Sequence, residues 1–333
     1  MQPDMSPMNY LSGFNAYMLS IMNFSQLEAF LTVAQTGHFT KAAAQLHVAQ
    51  PTLSRQISML EGELGSTLFN RARGNITLTA AGEMLLPVAS RILADAEYIQ
   101  FQMQEMAGLR QGRVRLGAPP SMCISVIAEA VGQYHLNYPG VDLSLDESGS
   151  HRLLSELVAG RLDLAVVVAS EHDPASADSL THTPLFVEEL VVISTVSEHF
   201  AEHDKELSLA ALADIPQIVF SDSYDLRAAT TKAYWQRGVA PNVVLEGAEM
   251  DAVLRFVERG LGAAIVPATV LLDRPSLKSR RLIDPSLTRT IAIAHRKDVE
   301  LSRAASAMHQ LIVSTATTLA YQNSTMRMLT AAS

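Results

Sequence analysis

Cysteine is nearly absent from this sequence. Cys123 is the single cysteine in 333 residues, so the chain cannot form an internal disulfide and shows no sign of an oxidising compartment. No apolar run approaches the roughly 18 residues that a membrane-spanning helix needs. Residues 1–22 contain neither lysine nor arginine, and so lack the basic start of a secretory signal. We expect a cytoplasmic protein with no membrane partner, and a disordered extension over residues 1–22.

Motifs for nucleotide, metal or nucleophilic chemistry are also missing. The sequence has no P-loop, no GxGxxG after a strand and no G-x-S-x-G elbow, and its ten histidines form no cluster with metal-ligand spacing. We therefore expect no metal, no cofactor and no catalytic residues. An enzyme with a nucleophilic serine stays an alternative, although no base is recognisable beside any candidate serine.

Charged residues are scarce and unevenly placed. The formal net charge is −9, and residues 1–110 hold six basic against eight acidic residues, a net of −2. Residues 23–80 hold four basic against three acidic residues. Because nucleic acid binds to a local basic patch rather than to the net charge, the acidity of the remainder does not exclude DNA at the N-terminal end.

Three short helices are predicted between residues 23 and 65. Ser25 and Glu28 have the spacing of a capping box, Gly37 is a helix stop, and Thr40 is a candidate N-cap for a second helix. Pro51 fits the first position of a third helix. Two short helices joined by a tight turn indicate a helix-turn-helix.

The third predicted helix has one apolar and one polar side. Its apolar stripe consists of Leu53, Ile57, Leu60 and Leu64. Its polar N-terminal end and flank carry Gln50, Pro51, Thr52, Ser54 and Arg55. Arginine suits a guanine edge, glutamine suits adenine, and hydroxyl groups suit bases or phosphates. A solvated face of an ordinary three-helix bundle has the same periodicity, so this pattern alone leaves both interpretations open.

The stretch "LFNRARGNITLT" that follows predicts a β-hairpin with its turn at residues 72–75. A hairpin after a helix-turn-helix forms a wing, and Arg71 and Arg73 lie where a wing meets the DNA backbone or minor groove. A packing role for Arg71 is the alternative.

A long helix is predicted from an N-cap at Thr79 to about Leu109, with a kink at Pro87. Apolar residues recur along it in steps of 4 and 3, at Leu85, Ala89, Ile92, Ala96, Ile99, Met103 and Met106. This 3.5-residue repeat is typical of a coiled-coil seam. The helix therefore predicts a homodimer, and a homodimer predicts a two-fold symmetric DNA site.

Strands and helices alternate after residue 111, which predicts an α/β domain with mostly parallel sheets. Its length suits two subdomains, with Tyr234 and Trp235 facing the core. Three predicted strand-to-helix joints carry a serine, at Ser121, Ser150 and Ser221. A single serine at such a joint is most often an N-cap, but three around one predicted crevice favour an anion site.

The N-terminal stretch resembles the DNA-binding domain of the LysR-type transcriptional regulators. The resemblance rests on "FLTVAQTGHFTKAAAQLHVAQPTLSRQISMLEGELGSTLFNR" and "LTAAGE", and the domain order extends it over residues 22–320. It implies base contacts from Gln50, Pro51, Ser54 and Arg55. It implies backbone contacts from Thr40 and Thr52, and wing contacts from Arg71 and Arg73.

The same resemblance implies an effector domain with a periplasmic-binding-protein-like fold and a small-molecule pocket at the strand-to-helix joints. The implied pocket residues are Ser121, Ser150, Ser221 and Phe220, with Ala169, Gly247 and Pro267 as further wall candidates. The stretches "LGAPPS" and "SGSHRLLSELVAGRLDLAV" are most similar to the branch with the nitrogen assimilation control and tricarboxylate-type regulators, which implies an organic acid effector. Peroxide sensing in the family uses two cysteines, so we expect Cys123 to be an inert thiol rather than a redox sensor.

We therefore expect an α/β protein with a winged helix-turn-helix at residues 23–80 and a dimerising helix at 81–110. An effector-binding domain is expected at 111–325, with subdomain I at about 113–170 and 282–322 and subdomain II at about 171–281. By resemblance, two dimers form a homotetramer that acts on RNA polymerase. The alternative is a solute-binding protein that uses the α/β module alone.

Overall fold

The structure, a computed structural model, divides into two compact units, which are described separately. It describes residues 22–72, 75–106, 112–169, 179–195, 205–222, 224–272, 274 and 276–329. The predicted extension at residues 1–22 lies outside these except for Met22. The N-terminal elements are α1 (Phe24–Thr36), α2 (Phe39–Gln45), α3 (Gln50–Leu64), β1 (Phe69–Ala72), β2 (Asn75–Leu78) and α4 (Ala80–Met106).

The three short helices are present, but two of their caps differ from the prediction. The capping box of α1 joins Asn23 to Gln26 rather than Ser25 to Glu28, because the helix begins two residues earlier than the Ser–Glu spacing indicated. Residue His38, not Thr40, precedes α2. The left-handed Gly37 ends α1, as predicted, with φ 65°.

The apolar side of α3 packs into the core of the winged helix-turn-helix. Leu53, Ile57 and Leu60 are fully buried, whereas Leu64, at the end of the helix, is 43% exposed. The predicted stripe is therefore one residue too long. The core is closed by the ring of Phe30, whose centroid lies 5.4 Å from that of Phe69 in the wing.

The wing and α4 are joined through Thr79. Strands β1 and β2 pair antiparallel, with Phe69 opposite Leu78, and the predicted turn between them includes residues 73 and 74, outside the described chain. The Thr79 hydroxyl accepts a hydrogen bond from the Gly82 amide at 3.1 Å and donates one to the Thr67 carbonyl at 2.7 Å. The predicted N-cap is thus confirmed, and it also fastens the helix to the chain before the wing.

The 3.5-residue seam of α4 has two different environments. Ala89 is buried in the winged-helix core, and Leu85 and Ile92 pack against that core. Farther along, Ile99 is 57% exposed and Met103 is 60% exposed. Only the later part of the seam is therefore open to a partner, which the uniform sequence repeat did not indicate.

The second unit alternates strands and helices. Its first half comprises β3 (Gly112–Ala118), α5 (Pro120–Met122), a π-helical turn (Cys123–Ile127), α6 (Ala128–Asn137), β4 (Val141–Glu147), α7 (Ser150–Val158), β5 (Leu164–Ala169), β6 (Leu180–Ser194), β7 (Glu206–Ser208) and α8 (Leu209–Ala213). Its second half comprises β8 (Pro216–Phe220), α9 (Asp225–Arg237), β9 (Asn242–Ala248), α10 (Met250–Glu258), β10 (Ala264–Pro267), a 3-10 turn (Ala268–Leu271), β11 (Lys278–Ile283), β12 (Thr288–Arg296), α11 (Arg303–Gln322) and β13 (Met326–Met328).

The sheets are mixed rather than mostly parallel, which corrects the sequence prediction. Strands β3, β4 and β5 pair in parallel, but β12 runs antiparallel to both β5 and β6. The last predicted strand returns to the first sheet in the opposite direction, so alternation of strands and helices indicated the class of fold but not the direction of every strand.

The 15-residue strand β6 belongs to two hydrophobic cores. Its first part pairs with β12 beside the core that contains Phe186, Tyr134 and α11, here called lobe I. Its last part pairs with β10 and β11 beside the core that contains Val192, Tyr234 and α10, here called lobe II. Tyr234 is buried as predicted, but Trp235 is 80% exposed, because successive residues of a helix face different sides.

Gly82 is predicted to be intolerant of a side chain. A Cβ atom there would lie 2.3 Å from the Leu68 carbonyl oxygen and 2.9 Å from the Leu78 Cδ2 atom. Gly82→Ala should therefore destabilise the winged helix-turn-helix by about 1–3 kcal/mol, as overpacking does. Gly62→Ala is the control, because a Cβ atom at that helical position meets nothing within 4 Å. Urea unfolding of the two variants checks the difference, and equal stability would contradict the close approach of α4 to the wing.

Candidate functional site

The N-terminal turns of α3 present a polar surface. Gln50, Pro51, Thr52 and Arg55 are exposed, and Ser54 is half-buried. Because the apolar side of the same helix is buried, this polar side faces solvent. Four of these five side chains are therefore accessible to a large ligand, and that of Ser54 is accessible in part.

The first turns of α2 and α3 have no side-chain caps. His38 precedes α2 and Ala49 precedes α3, and neither side chain accepts a hydrogen bond from its helix. Thr40, in the first turn of α2, is exposed. Uncapped N–H groups at a helix start bind phosphate well. In α3, however, Pro51 has no N–H, and the amides of Thr52 and Leu53 donate to the Ala49 carbonyl. The exposed side chains of Thr40 and Thr52 are therefore the groups available to a DNA backbone.

Arg71 anchors the wing to the helices. Its Nη2 atom lies 2.7 Å from the Glu61 Oε2 atom of α3, and its guanidinium carbon lies 5.5 Å from the ring centroid of Phe39. The second carboxylate oxygen of Glu61 accepts a hydrogen bond from the Leu68 amide. These contacts fit the packing alternative for Arg71, although 45% of its side chain is exposed. Arg73 lies outside the described residues.

A cavity of about 360 Å³ lies where four strand-to-helix joints of the second unit meet. Its described lining consists of Pro120, Glu147, Ser148, Gly149, His151, Arg152, Tyr224, Asp225 and Glu249. These residues precede or follow the predicted Ser121, Ser150, Ser221 and Gly247 by one to four positions. The cavity, here called the crevice, is thus located at the predicted joints, but the lining residues are the neighbours of the predicted ones.

Ser150 is the predicted residue that contacts the opposite lobe. Its hydroxyl donates to the Asp225 Oδ2 atom at 2.6 Å, and its amide donates to the same atom at 3.2 Å. The hydroxyl oxygen also accepts from the Val168 amide at 2.9 Å. The structure therefore brings the start of α7 together with the start of α9, through a buried serine and an aspartate that the sequence did not single out.

Ser121 belongs to a buried network rather than to the cavity wall. The Arg289 Nη2 atom donates to its hydroxyl at 2.7 Å, and Arg289 pairs with Glu188, which is fully buried. The second oxygen of Glu188 accepts from the Thr269 hydroxyl at 2.7 Å. Ser121 also precedes the π-helical turn, a distortion that is frequent near functional sites.

Phe220 and Ser221 lie at the end of β8 and directly after it, and Phe220 is buried in the core of lobe II. Ser221 is half-buried, and Phe220 stacks on Tyr224 with ring centroids 5.5 Å apart. Phe220 also lines a second cavity, of about 300 Å³, with Trp235 and other residues of lobe II.

The three weaker wall candidates occupy strand positions. Ala169 is exposed at the end of β5, and Gly247, with φ 90°, is exposed in β9. Pro267 is buried and pairs with Leu190. None of these three is among the described residues that line the crevice.

The crevice carries more carboxylates than the predicted anion site implied. Glu147, Asp225 and Glu249 line it, together with Arg152 and His151. Each of these acids lies at the end of a strand or at the start of a helix. Their positions in the sequence could therefore have indicated them as candidate crevice residues. Which of them faces the crevice depends on the pairing of strands, which the sequence did not determine.

Near the crevice, the pKa values of the Tyr224 hydroxyl and the Cys123 thiol are raised, which favours their protonated forms. Burial, followed by contact with Glu249, raises the pKa of Tyr224, whose hydroxyl donates to that carboxylate. Burial and the nearby Glu147 raise the pKa of Cys123 to about 12. Because the thiolate is the reactive form of cysteine, the raised pKa favours the unreactive thiol and supports the interpretation that Cys123 is not a redox sensor.

The described residues contain neither a metal cluster nor a membrane span. No group of three or more potential metal ligands occurs among them. No helix in the described part of the chain has the length and apolar character needed to cross a membrane.

Comparison with known families gives matches to both units. The profile described as "Bacterial regulatory helix-turn-helix protein, lysR family" matches residues 24–83. The profile described as "LysR substrate binding domain" matches residues 107–317. A relative from Synechococcus elongatus, named "Probable nitrogen assimilation transcriptional activator", is 33% identical over 82% of this chain and 88% of its own length. The "Nitrogen assimilation regulatory protein nac" of Klebsiella aerogenes is 28% identical over 88% of this chain and 95% of its own.

Solved structures share the fold along most of the chain. A full-length OxyR variant from Pseudomonas aeruginosa has a TM-score of 0.65 and 25% identity, and the match covers 89% of this chain and 94% of that one. Full-length CbnR complexed with target DNA has a TM-score of 0.62 and 23% identity, over 88% and 100% of the two chains, which shows the fold alone. The chain belongs to the LysR family of transcriptional regulators, and it joins that family's helix-turn-helix domain to an effector-binding domain.

Proposed function

We propose that this regulator binds a two-fold symmetric promoter site as a homodimer, and that a small organic acid in the crevice controls it. In this proposal the parts are a winged helix-turn-helix at residues 23–80, a dimerising helix at 81–110 and an effector-binding domain at 111–325. Two dimers assemble into a tetramer in the cytoplasm, and the change in the assembly alters the access of RNA polymerase.

The polar turns of α3 support the assignment of base contacts. Gln50, Pro51, Ser54 and Arg55 lie at the accessible end of a helix whose other side is buried, which is how a recognition helix enters the major groove. Thr40 and Thr52 are exposed in the first turns of α2 and α3, where their hydroxyl groups would bind backbone phosphates. Arg71 would hold the wing in position, while Arg73 would reach the DNA.

Exposed apolar side chains support the assembly. Ile99 and Met103 continue the seam of α4 beyond the part that packs on the winged helix-turn-helix. In the second unit, Leu136 and Trp235 are each 80% exposed. The exposed pair on α4 supplies a surface for the pairing of two subunits, whereas the separate Leu136 and Trp235 do not by themselves indicate an interface.

The single observation that carries the effector proposal is that the carboxylate of Asp225, a residue of α9, is bound at the start of α7. The Ser150 amide and hydroxyl hold this carboxylate, so these groups have the geometry that an organic acid requires. Arg152 adds a positive charge to the same lining, although it is paired with Asp146 at 3.6 Å. Glu147 and Glu249 can accept hydrogen bonds, and we therefore propose an acid that also carries hydroxyl or ammonium groups.

Control by such a ligand requires two arrangements of the lobes with different affinities. A ligand that binds both arrangements equally shifts neither population. The crevice is lined by both lobes, so a change in their separation changes the ligand contacts. The same change would alter the spacing of the DNA-binding heads in the assembly.

Arg55→Ala should weaken binding to the cognate site by about 1–3 kcal/mol, as expected for loss of a two-hydrogen-bond contact to guanine. Binding to unrelated DNA should change little. Arg237→Ala, which removes the same charge from lobe II, serves as the control. Fluorescence anisotropy with a selected site and a scrambled duplex measures the difference. An equal loss on both duplexes would show that Arg55 contributes charge but no sequence reading.

Ile99→Asp combined with Met103→Asp should dissociate the dimer, because four charges would be buried at the seam of two chains. Met84→Asp is the control, since Met84 is exposed on the same helix but lies outside the seam. Analytical ultracentrifugation of the full chain gives the mass. A double variant that keeps the wild-type mass would contradict pairing through α4.

A panel of carboxylates, amines and phosphates tests the effector class on the full chain. A carboxylate present at 100 times its dissociation constant should stabilise the protein by about 2.7 kcal/mol, seen as an upward thermal shift. Arg152→Ala should reduce that shift, and Arg255→Ala, outside the crevice, should not. A shift produced by amines or phosphates alone would contradict the proposed organic acid.

A further inference from the structure

The two lobes are fastened across the crevice by one carboxylate. Asp225, in the first turn of α9, accepts hydrogen bonds from the hydroxyl and the amide of Ser150, at 2.6 and 3.2 Å. We call this contact the clasp. Ser150 is only 4% exposed, and its oxygen also accepts from the Val168 amide. The hydroxyl is therefore fixed in position with its proton directed at Asp225.

The helix starts of both lobes favour a negative charge at this point, against the repulsion of Glu147 and Glu249 in the same crevice. Asp225 lies in the first turn of its own helix, α9, and it contacts the first residue of α7 in the other lobe. The N-terminal end of each helix carries a partial positive charge. The carboxylate accepts hydrogen bonds from the start of α7 and lies beside the start of α9, and Asp225 also lines the crevice.

The clasp differs from a buried network that also joins the lobes. In that network Arg289 of β12 pairs with Glu188 of β6, which is fully buried and accepts a hydrogen bond from Thr269 of lobe II. Opening the pair would leave a buried charge without its partner. Asp225 instead lines the crevice, where the carboxylate of a free anion can take the place of the Asp225 carboxylate.

We propose that Asp225 is an internal competitor of the effector. Its carboxylate occupies the Ser150 amide and hydroxyl when no ligand is present, and an anionic ligand must displace it to bind there. Displacement breaks the clasp, so occupancy of the crevice is converted into separation of the two helix starts. This inference rests on the proposed function of the crevice, and it names the contact through which a ligand acts on the lobes.

Formate and acetate are the probes, because each is a free equivalent of the Asp225 carboxylate. In full-length Asp225→Ala, both anions should raise the melting temperature in a saturable way, relative to chloride at equal ionic strength. Wild-type protein should show no such gain, because its site is already filled. Asp251→Ala is the matched control. It removes one acidic side chain from the first turn of the next helix, α10, where Asp251 pairs with Arg274.

Amide exchange gives a second reading of the same site. Loss of Asp225 should accelerate exchange of the Ser150 amide by about tenfold or more, as local opening does, and formate should reverse that change. Asp225→Asn preserves the shape of the side chain, and it carries the test if the alanine variant does not fold. A formate gain that is equal in all variants, or absent from both Asp225 variants, would overturn the proposal.

These outcomes are independent of the effector panel. Neither the anion titration nor the exchange measurement uses DNA or a natural ligand. If the panel finds no organic acid, the competition for Ser150 can still be observed. If the Asp225 variants behave like wild type, the displacement of Asp225 is refuted, whereas the panel still decides whether an organic acid binds the protein at all.

Discussion

The architecture of the second unit depends on a buried ion pair between neighbouring strands. Glu188 in β6 and Arg289 in β12 face each other in the ladder, with an Nη2–Oε1 distance of 2.7 Å. Loss of one partner of a buried pair typically costs about 3–5 kcal/mol, because the other charge remains without compensation. The pair also binds Ser121 and Thr269. It therefore fixes the joint after β3, in lobe I, relative to the turn after β10, in lobe II.

In the switch that we propose, this network holds Ser121 and Thr269 in place while the contact between Ser150 and Asp225 opens. The Glu188–Arg289 pair is buried, whereas Asp225 lines the crevice, where a ligand can reach it. A ligand would therefore act on the Ser150–Asp225 contact and leave the buried pair intact, as a reversible switch requires.

Much of the fold could be predicted because local rules decide it. The apolar spacing of α3, the hairpin after it and the Thr79 cap all follow from the chemistry of neighbouring residues. The misses come from contacts that are distant in sequence. Arg71 is drawn to Glu61 and Phe39 by tertiary packing, and the direction of β12 is decided by pairing with β6, about 100 residues earlier.

The candidate sites show the same division. The polar end of α3 lies on one helix, so local sequence was sufficient to locate it. The crevice is formed by four joints. Their positions could be predicted from the alternation of elements, whereas the side chains that face inward could not.

We propose above all that an effector binds at these joints. Hydrogen-exchange mass spectrometry of the full chain, with the carboxylate that gives the largest thermal shift, tests it most directly. We predict protection at residues 147–152, 224–225 and 249. Protection confined to the second cavity, around Trp235 and Pro241, would contradict it.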